Sequence, residues 1–255
     1  MADIFNLSGR HALVTGASSG LGAGFAQMLA DRGASVTLAA RRLDRVEENV
    51  AAIRERGGNA FGVAVDVTDE ASVGEAFAAA RAHAGAVTIV INNAGIATTQ
   101  SALDLETRDF DSVLDTNLRG AWLVARQAAT DLRAGELPGC IVNIASILGV
   151  RVSGAVMPYA VSKAAIIQMT RALALEWSRY KIRVNALAPG YVETPLNRDF
   201  LTSSAGDAIR KRIPERRFGN LADLEGPLLL LCSDAGSYMT GSVLVVDGGH
   251  LVSSL

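Results

Sequence analysis

The sequence predicts a doubly wound α/β protein with a sheet of about seven parallel strands and helices on both faces. Two observations support this fold class. Short β-rich apolar runs alternate with longer stretches that have the period of an amphipathic helix. The apolar runs are continuous rather than interrupted by polar residues at every second position, which indicates strands buried on both faces.

The predicted strands and helices alternate along most of the chain. In the first half, the pattern predicts strands at 11–15, 35–40, 60–65 and 87–91 and helices near 20–32, 43–56 and 69–84. In the second half, it predicts strands at 139–145, 182–188 and 242–249 and helices near 158–180 and 222–233. Repeated units of this kind are typical of a Rossmann-like sheet.

No linker-like stretch and no internal repeat divides the chain, so residues 1–255 are predicted to form one domain. The regular pattern is interrupted over about 191–218, where Pro, Ser and charged residues come before the last predicted helix. We predict that this segment is a mobile lid over a substrate.

Composition and charge favour a small-molecule partner. A formal net charge of -2 provides no basic field for nucleic acid. No apolar run has the length of a membrane span, and the start of the sequence lacks the layout of a secretory signal. The two cysteines and three histidines have no ligand-like spacing. The sequence therefore predicts a cytoplasmic protein with no metal site and no nucleic-acid or membrane partner.

A glycine-rich loop, TGASSGLG, follows the first predicted strand and places Gly16, Gly20 and Gly22 before a helix. Glycine lets the backbone approach a ligand closely, and free N–H groups at the start of a helix favour a phosphate. The spacing differs from the usual G-x-G-x-x-G, and a simple strand-to-helix turn is the alternative. A P-loop NTPase is disfavoured because Leu21 stands where its lysine is required.

The end of the second predicted strand favours NADP(H) as the cofactor. An acidic residue at this position would bind the ribose 2′-hydroxyl of NAD, but the sequence has Ala40 there. Arg41 and Arg42 follow and could pair with a 2′-phosphate. NAD(H) remains possible, since both arginines could instead face solvent at a helix start, with Asp44 pairing with one of them.

Tyr159 and Lys163 lie four positions apart in a predicted helix and therefore project toward the same space. A free phenol, with a pKa of about 10, is a reluctant base at neutral pH. One cation about 4 Å away, at an effective dielectric of 20, contributes about the 4 kcal/mol needed to bring this pKa near 7. We therefore expect Lys163, helped by the positive nicotinamide ring when the cofactor is oxidised, to lower the pKa of Tyr159, which would act as general acid in carbonyl reduction and general base in alcohol oxidation.

Ser146 lies just after the strand predicted at 139–145, where α/β sheets place their ligands. Its hydroxyl could hydrogen-bond a substrate oxygen beside Tyr159 and stabilise developing charge. A hydrolase nucleophile is the alternative, but the chain lacks G-x-S-x-G and has no histidine placed as its base.

Taken together, these features resemble the short-chain dehydrogenase/reductase family in its single-domain form. The motifs that carry the resemblance over essentially the entire chain are the glycine loop, NNAG at 92–95, Asn117, Ser146, the Tyr159/Lys163 pair and PG at 189–190. The resemblance implies a single dinucleotide-binding and catalytic domain and a homotetramer. It also implies that Asn117 is a fourth catalytic residue that holds a water beside the lysine, whereas a helix cap is the alternative from sequence alone.

The same resemblance implies the remaining cofactor contacts, with Tyr159 and Lys163 among them. The implied contacts are Gly16, Ser18, Ser19, Gly20, Leu21 and Gly22 in the loop, Asp66 and Val67 at adenine, Asn93, Ala94 and Gly95 after the fourth strand, and Pro189, Gly190, Val192 and Thr194 at the nicotinamide carboxamide. Without the family, NNAG would be interpreted as a turn and Asp66 as a helix-start residue.

The predicted substrate pocket is apolar, which favours a modest-sized ketone over a polyanion. Its candidate residues are Thr98, Ile147, Leu148, Met157, Tyr191 and Leu196, with the 196–213 part of the lid. The basic residues Arg210, Lys211 and Arg212 could recognise a carboxylate or phosphate if the lid folds inward, and a solvated helix end is the alternative.

These features predict an NADP(H)-dependent oxidoreductase that transfers hydride between nicotinamide and a secondary alcohol or ketone, as a carbonyl reductase or a 3-oxoacyl reductase does. A gluconate-type sugar-acid dehydrogenase of the same family is the alternative. A non-catalytic dinucleotide-binding protein is less favoured, because it would not require Asn117, Ser146, Tyr159 and Lys163 together.

Overall fold

The computed structural model describes residues 3–194 and 197–253. In these residues, seven parallel strands form one sheet in the order β3-β2-β1-β4-β5-β6-β7. The strands are β1 (His11–Thr15), β2 (Ser35–Ala40), β3 (Ala60–Ala64), β4 (Ile89–Asn92), β5 (Gly139–Ile144), β6 (Ile182–Pro189) and β7 (Val243–Val246). The order confirms the predicted doubly wound sheet.

Helices connect the strands on both faces of this sheet. They are α1 (Gly20–Asp31), α2 (Leu43–Glu55), α3 (Glu70–Ala84), α4 (Thr107–Leu114), α5 (Ala121–Ala134), α6 (Met157–Trp177), α7 (Arg198–Leu201), α8 (Ser204–Arg210) and α9 (Leu221–Cys232). A π-helical turn, Asp115–Gly120, joins α4 to α5, and short 3₁₀ turns cover Ile147–Gly149, Ser178–Tyr180, Asp234–Gly236 and His250–Val252.

The predicted strands and the five predicted helices agree with the structure to within a few residues at most ends. The seventh strand is an exception, because it ends at Val246 rather than at 249. Gly248 and Gly249 have φ angles of 63° and 84°, which lie outside the β region and turn the chain away from the sheet.

The helical stretch from α4 to α5 was not predicted. It supplies the crossover that parallel neighbours β4 and β5 require. Val113 is buried in α4, and Asn117 is buried in the first half of the π-helical turn. Charged residues surround both positions, so the sequence has only a weak apolar periodicity here. The short helices α7 and α8, within the predicted lid, were also missed.

Two apolar layers hold the helices on opposite faces of the sheet. One layer contains side chains of α1, α2 and α9, such as Phe25, Val46 and Leu228. The other contains side chains of α3, α5 and α6, such as Phe77 and Leu123. Both faces of the central strands are therefore buried, as the continuous apolar runs indicated.

Buried polar side chains also connect the sheet to α6. Asn92 of β4 donates from Nδ2 to Asn143 Oδ1 of β5 at 2.9 Å, and Asn143 donates from Nδ2 to Thr170 Oγ1 of α6 at 2.9 Å. All three residues are buried. An unpaired buried polar group lowers the stability of the fold. This series of hydrogen bonds therefore fixes the position of α6 and of the Tyr159/Lys163 pair that α6 carries.

Within the described residues, no helix has both the length and the apolar character needed to cross a bilayer. The cytoplasmic location and the homotetramer stay predictions. The ends of the predicted lid approach each other, since Glu193 N donates to Gly219 O at 2.8 Å and Gly219 N donates to Tyr191 O at 2.9 Å. That this segment moves over a substrate, and that the chain is a single domain, also stay predictions.

Replacing Thr170 with Val should destabilise the protein by about 1–3 kcal/mol, because Asn143 Nδ2 would be left buried without its acceptor. Urea denaturation followed by circular dichroism measures this free energy of unfolding. Thr130→Val, at an exposed position of α5, is the control and should change it by less than about 0.5 kcal/mol. Equal effects of the two substitutions would contradict the role given to the buried chain.

Candidate active site

A cavity of about 870 Å³ lies at the carboxyl ends of the central strands, within the range of about 300–1,000 Å³ typical of small-ligand sites. Most of the predicted site residues line it. They are Gly16, Ser18, Ser19, Gly20, Leu21, Arg41, Arg42, Asp66, Val67, Asn93, Ala94, Gly95, Ser146, Ile147, Leu148, Tyr159, Lys163, Pro189, Gly190, Tyr191, Val192 and Thr194.

A few predicted residues do not line this cavity. Gly22 packs against Gly16, and Asn117 bonds to Ile96 and Ser162. Thr98 and Met157 do not line the cavity, and their contact with a substrate stays a prediction. Leu196 lies outside the described residues. Asn197, from the 196–213 part of the lid, also lines it. The prediction did not name the lining residues Ala40, Val65, Ile96, Ala97, Thr116, Ile144 and Ala145 as site residues. Most of these directly adjoin predicted residues at strand ends, so their position in the sequence was the available signal.

The glycine loop packs tightly against the segment that follows β4. A Cβ atom on Gly16 would lie 2.9 Å from Ala94 Cα, and one on Gly22 would lie 2.4 Å from Gly16 O. Both distances are too short for any side chain. Thr15 Oγ1 also accepts hydrogen bonds from Asn93 N and Ala94 N, each at 3.1 Å. The loop is thereby fixed between β1 and β4.

The start of α1 fits a phosphate group. Ser19 is the N-cap residue, and no side chain in the described residues caps this end of the helix. The first backbone N–H groups of α1 therefore have no side-chain acceptor, and Gly20, the first residue of α1, lines the cavity. Helix N-termini of this kind favour anions, so the residues present fit the pyrophosphate of a dinucleotide.

Two exposed arginines lie at the far end of the cavity, beyond β2. Arg42 donates from Nη2 to Ser18 Oγ at 3.2 Å, which brings its charge toward the glycine loop. Neither Arg41 nor Arg42 forms an ion pair with Asp44 in the described chain, contrary to the alternative considered from sequence. Hydrogen bonds from the backbone and side chain of Thr68 lower the pKa of Asp66, and the charge of Arg41 lowers it further.

Tyr159 and Lys163 lie one turn apart near the start of α6. The Lys163 ammonium is 5.4 Å from the centroid of the Tyr159 ring and donates to Ile144 O, at the end of β5, at 2.7 Å. Burial lowers the pKa of Lys163 to about 8. The predicted juxtaposition of phenol and cation is therefore present, but the ammonium bonds to a carbonyl oxygen of the sheet.

The protein's own groups do not produce the expected lowering of the pKa of Tyr159. Burial raises this pKa above its ordinary value, whereas the hydroxyl of Ser146 acts in the opposite direction and the phenol of Tyr191 raises the pKa further. The expectation counted the attraction of the lysine and omitted the cost of taking a phenolate out of water. In this structure, the phenol is therefore held in its protonated form at neutral pH.

Ser146 directly follows β5 and the buried Ala145. It is the N-cap of the 3₁₀ turn Ile147–Gly149, and its Oγ accepts from Leu148 N at 3.1 Å. This bond leaves the hydroxyl hydrogen available, because Oγ is the acceptor. Ser146 lines the cavity together with Tyr159, so both hydroxyl groups face the same space.

Asn117 lies inside the π-helical turn and is not a helix cap. Its Oδ1 accepts from Ile96 N at 2.8 Å, and its Nδ2 donates to Ile96 O at 2.9 Å and to Ser162 Oγ at 3.0 Å. Ser162 Oγ in turn donates to Tyr159 O at 2.7 Å. Asn117 thus connects the segment after β4 to the first turn of α6. The water implied by the resemblance stays a prediction.

The wall of the cavity near Tyr159 is mostly apolar and includes Ile96, Ile147, Leu148 and Tyr191. Asn197 holds the adjoining backbone, because its Oδ1 accepts from Thr194 N at 2.8 Å and its Nδ2 donates to Val192 O at 2.9 Å. The basic residues 210–212 are exposed and do not line the cavity, and Arg210 pairs with Asp207 at 2.7 Å. The structure therefore favours the solvated helix end for this cluster.

Known proteins match the chain over nearly its whole length. The family model described as enoyl-(acyl carrier protein) reductase matches residues 16–250. Gluconate 5-dehydrogenase of Gluconobacter oxydans is 34% identical over 255 residues, which cover 98% of each chain. The crystal structure of a putative gluconate dehydrogenase from Agrobacterium tumefaciens has a TM-score of 0.95 at 38% identity and covers 98% of this chain and 99% of that one.

A third match carries ligands. The crystal structure of gluconate 5-dehydrogenase from Burkholderia cenocepacia, in complex with NADP and tartrate, has a TM-score of 0.94 at 34% identity and covers 99% of both chains. These matches extend over the glycine loop, the sheet and the helix that carries Tyr159 and Lys163. The chain therefore belongs to the short-chain dehydrogenase/reductase family of oxidoreductases.

Proposed function

We propose that the protein is an NADP(H)-dependent oxidoreductase that transfers hydride between nicotinamide and the carbon of a secondary alcohol or ketone. One observation carries this proposal: a phenol, a serine hydroxyl and an ammonium group converge in a cavity that begins at a phosphate-compatible helix start. A protein that only bound a dinucleotide would not require this convergence. Family membership supports the same reaction class.

Each end of the cavity suits one part of the cofactor. The glycine loop and the start of α1 would hold the pyrophosphate, and Arg41 and Arg42 would pair with the 2′-phosphate. Pro189, Gly190, Val192 and Thr194 would hold the nicotinamide end. When bound, NADP(H) supplies or accepts the hydride. The NADP in the Burkholderia relative supports this preference over NAD.

The chain's own residues manage the proton. In the reducing direction, the Tyr159 hydroxyl donates its proton to the substrate oxygen, and Ser146 donates a hydrogen bond to the same oxygen. The raised pKa of Tyr159 keeps this proton in place at neutral pH. Lys163 is positively charged at pH values below its pKa of about 8, and this charge stabilises the negative charge that develops on the phenolate. In the oxidising direction, Tyr159 takes the proton back.

Two substrate classes are supported by different observations. The apolar wall near Tyr159 favours a modest-sized ketone, as for a carbonyl reductase or a 3-oxoacyl reductase. The names of the relatives favour a gluconate-type sugar acid at least as strongly. Initial rates with NADPH, NADP, NADH and NAD, measured over neutral ketones, a 3-oxoacyl thioester, D-gluconate and neutral polyols, separate the two. An absence of turnover across this panel would favour a non-catalytic dinucleotide-binding protein.

Replacing Tyr159 with Phe should lower kcat by about 10²–10⁴-fold, because the proton donor is lost while the ring remains. The dissociation constant of NADP, measured by isothermal titration calorimetry, should change by less than about twofold since the glycine loop is untouched. Tyr238→Phe, at a fully exposed position, is the matched control and should leave both quantities unchanged. Wild-type turnover in the Tyr159 variant would exclude this residue as the acid.

Replacing Arg41 with Ala should lower kcat/KM with NADPH by about 10- to 100-fold, since hydrogen bonds to charged groups contribute about 1.5–3 kcal/mol. The value with NADH should hardly change, because NADH has no 2′-phosphate. Arg45→Ala removes the same charge from the exposed face of α2 and serves as control. If both cofactors lose activity equally in the Arg41 variant, a 2′-phosphate contact is the wrong explanation.

Ketone reduction should slow as the pH rises above about 8. Lys163, with a pKa lowered to about 8, then loses the positive charge that stabilises the phenolate formed from Tyr159. Alcohol oxidation should instead rise with pH, because it needs the ionised phenol. Initial rates in both directions between about pH 6 and pH 10 give these profiles. A flat reduction rate from about pH 7 to pH 9.5 would contradict the role of Lys163.

A further inference from the structure

A turn at the end of the chain, residues 247–253, lies against the substrate end of the cavity. Asp247 Oδ1 accepts from Gly249 N at 2.8 Å, and the left-handed Gly248 and Gly249 reverse the chain after β7. The 3₁₀ turn His250–Val252 follows. The chain reversal places the ring of His250 5.8 Å, between centroids, from the ring of Tyr191, which lines the cavity.

This C-terminal turn is bound by two other segments that surround the site. Glu215 N, near the end of the predicted lid, donates to Gly248 O at 3.2 Å. Arg151, in the loop after Ser146, donates from Nη1 to His250 O and, at 3.0 Å, to Ser253 Oγ. The turn therefore joins the lid, the loop after β5 and Tyr191.

The charged guanidinium of Arg151 donates its hydrogen bonds to neutral acceptors. Its side chain is half-buried, and it forms no ion pair with an acidic residue in the described chain. A guanidinium bonded to a carbonyl and a hydroxyl forms charge-assisted hydrogen bonds that hold the backbone of the turn. Arg151 does not line the cavity, so any effect on a substrate must pass through the residues that it holds.

Tyr191 is the residue through which such an effect reaches the cavity. Its phenol lies close enough to Tyr159 to raise the pKa of that residue, and its ring also packs at 6.4 Å from Phe218. His250, which is buried, also packs against the Tyr191 ring. The position of the Tyr191 ring thus depends on the C-terminal turn as well as on the segment that follows β6.

We infer that Arg151 is a positioning residue for the substrate, because it holds the C-terminal turn so that His250 keeps Tyr191 in place as the wall of the substrate end. The inference deepens the proposed function and rests on it in taking this end of the cavity as the substrate site. It adds Arg151 and His250 to the residues that determine substrate binding, although neither touches the reacting atoms.

The holding role is tested by hydrogen–deuterium exchange of the NADP complex, which needs no substrate. In Arg151→Met, amide exchange should rise about tenfold in peptides that cover 247–253 and 190–194. Arg151→Lys, which keeps a charged donor, should restore most of the protection. The matched control is Arg183→Met, since Arg183 also donates to two carbonyls, those of Met239 and Ser233, at the other end of β6. Unchanged exchange at 190–194 in Arg151→Met would overturn the inference.

The effect on substrate binding is tested by kinetics with two substrates, D-gluconate, which the enzyme would oxidise, and ethyl acetoacetate, which it would reduce. Arg151→Met and His250→Ala should raise KM about tenfold, while kcat and the dissociation constant of NADP stay within about twofold. His250→Phe keeps a ring against Tyr191 and should retain the wild-type KM. Unchanged KM in Arg151→Met, or equal KM values in His250→Phe and His250→Ala, would overturn the inference. If wild type turns over no substrate of the panel, the proposed function fails, whereas the exchange experiment still decides whether Arg151 holds Tyr191.

Discussion

The pairing of β1 with β4 is the constraint on which the rest of the site depends. These strands are parallel neighbours, yet the helices that follow them pack on opposite faces of the sheet. The chain therefore separates at their carboxyl ends and leaves a crevice, which is where doubly wound sheets bind ligands. Thr15 spans this crevice through its bonds to Asn93 and Ala94. The glycine loop, the start of α1 and the segment after β4 are all positioned by this pairing.

The same sheet sets the electrostatics of the proton donor. Because α6 packs against β6 and Lys163 donates to Ile144 O at the end of β5, Tyr159 and Lys163 lie in a region with little water, where both charged forms are disfavoured. Burial acts on the phenol and the ammonium in opposite senses, raising one pKa and lowering the other. The buried phenol thus holds its proton more tightly than the buried ammonium does, which is the reverse of their order in water. A proton donor that is neutral in its resting state suits the reducing direction, and the charge of Lys163 matters once the phenol has given up its proton.

The sequence was informative wherever a local pattern determines the structure. Continuous apolar runs predicted the strands, and the glycine loop predicted the close approach seen at Gly16 and Gly22. The pattern was weaker where a helix buries only a few side chains, so the helical stretch from α4 to α5 was missed. Spacing alone placed Tyr159 beside Lys163, but the pKa of the phenol depends on desolvation, which no spacing reveals. Arg151 and His250 lie 99 positions apart, and no short motif could predict their contact.

The distribution of charge in the cavity relates the apolar wall to the sugar-acid names of the relatives. Among the described lining residues, the cationic side chains are Lys163 near the proton donor and Arg41 and Arg42 at the far end. A buried carboxylate needs a charged or hydrogen-bonding partner, and the wall formed by Ile147, Leu148 and Tyr191 offers only one phenol. A sugar acid bound in this cavity would therefore keep its carboxylate toward the open mouth, in contact with water. Its reacting carbon would then meet the same hydroxyl groups as that of a neutral ketone, so selectivity would depend on the shape of the wall rather than on an ion pair.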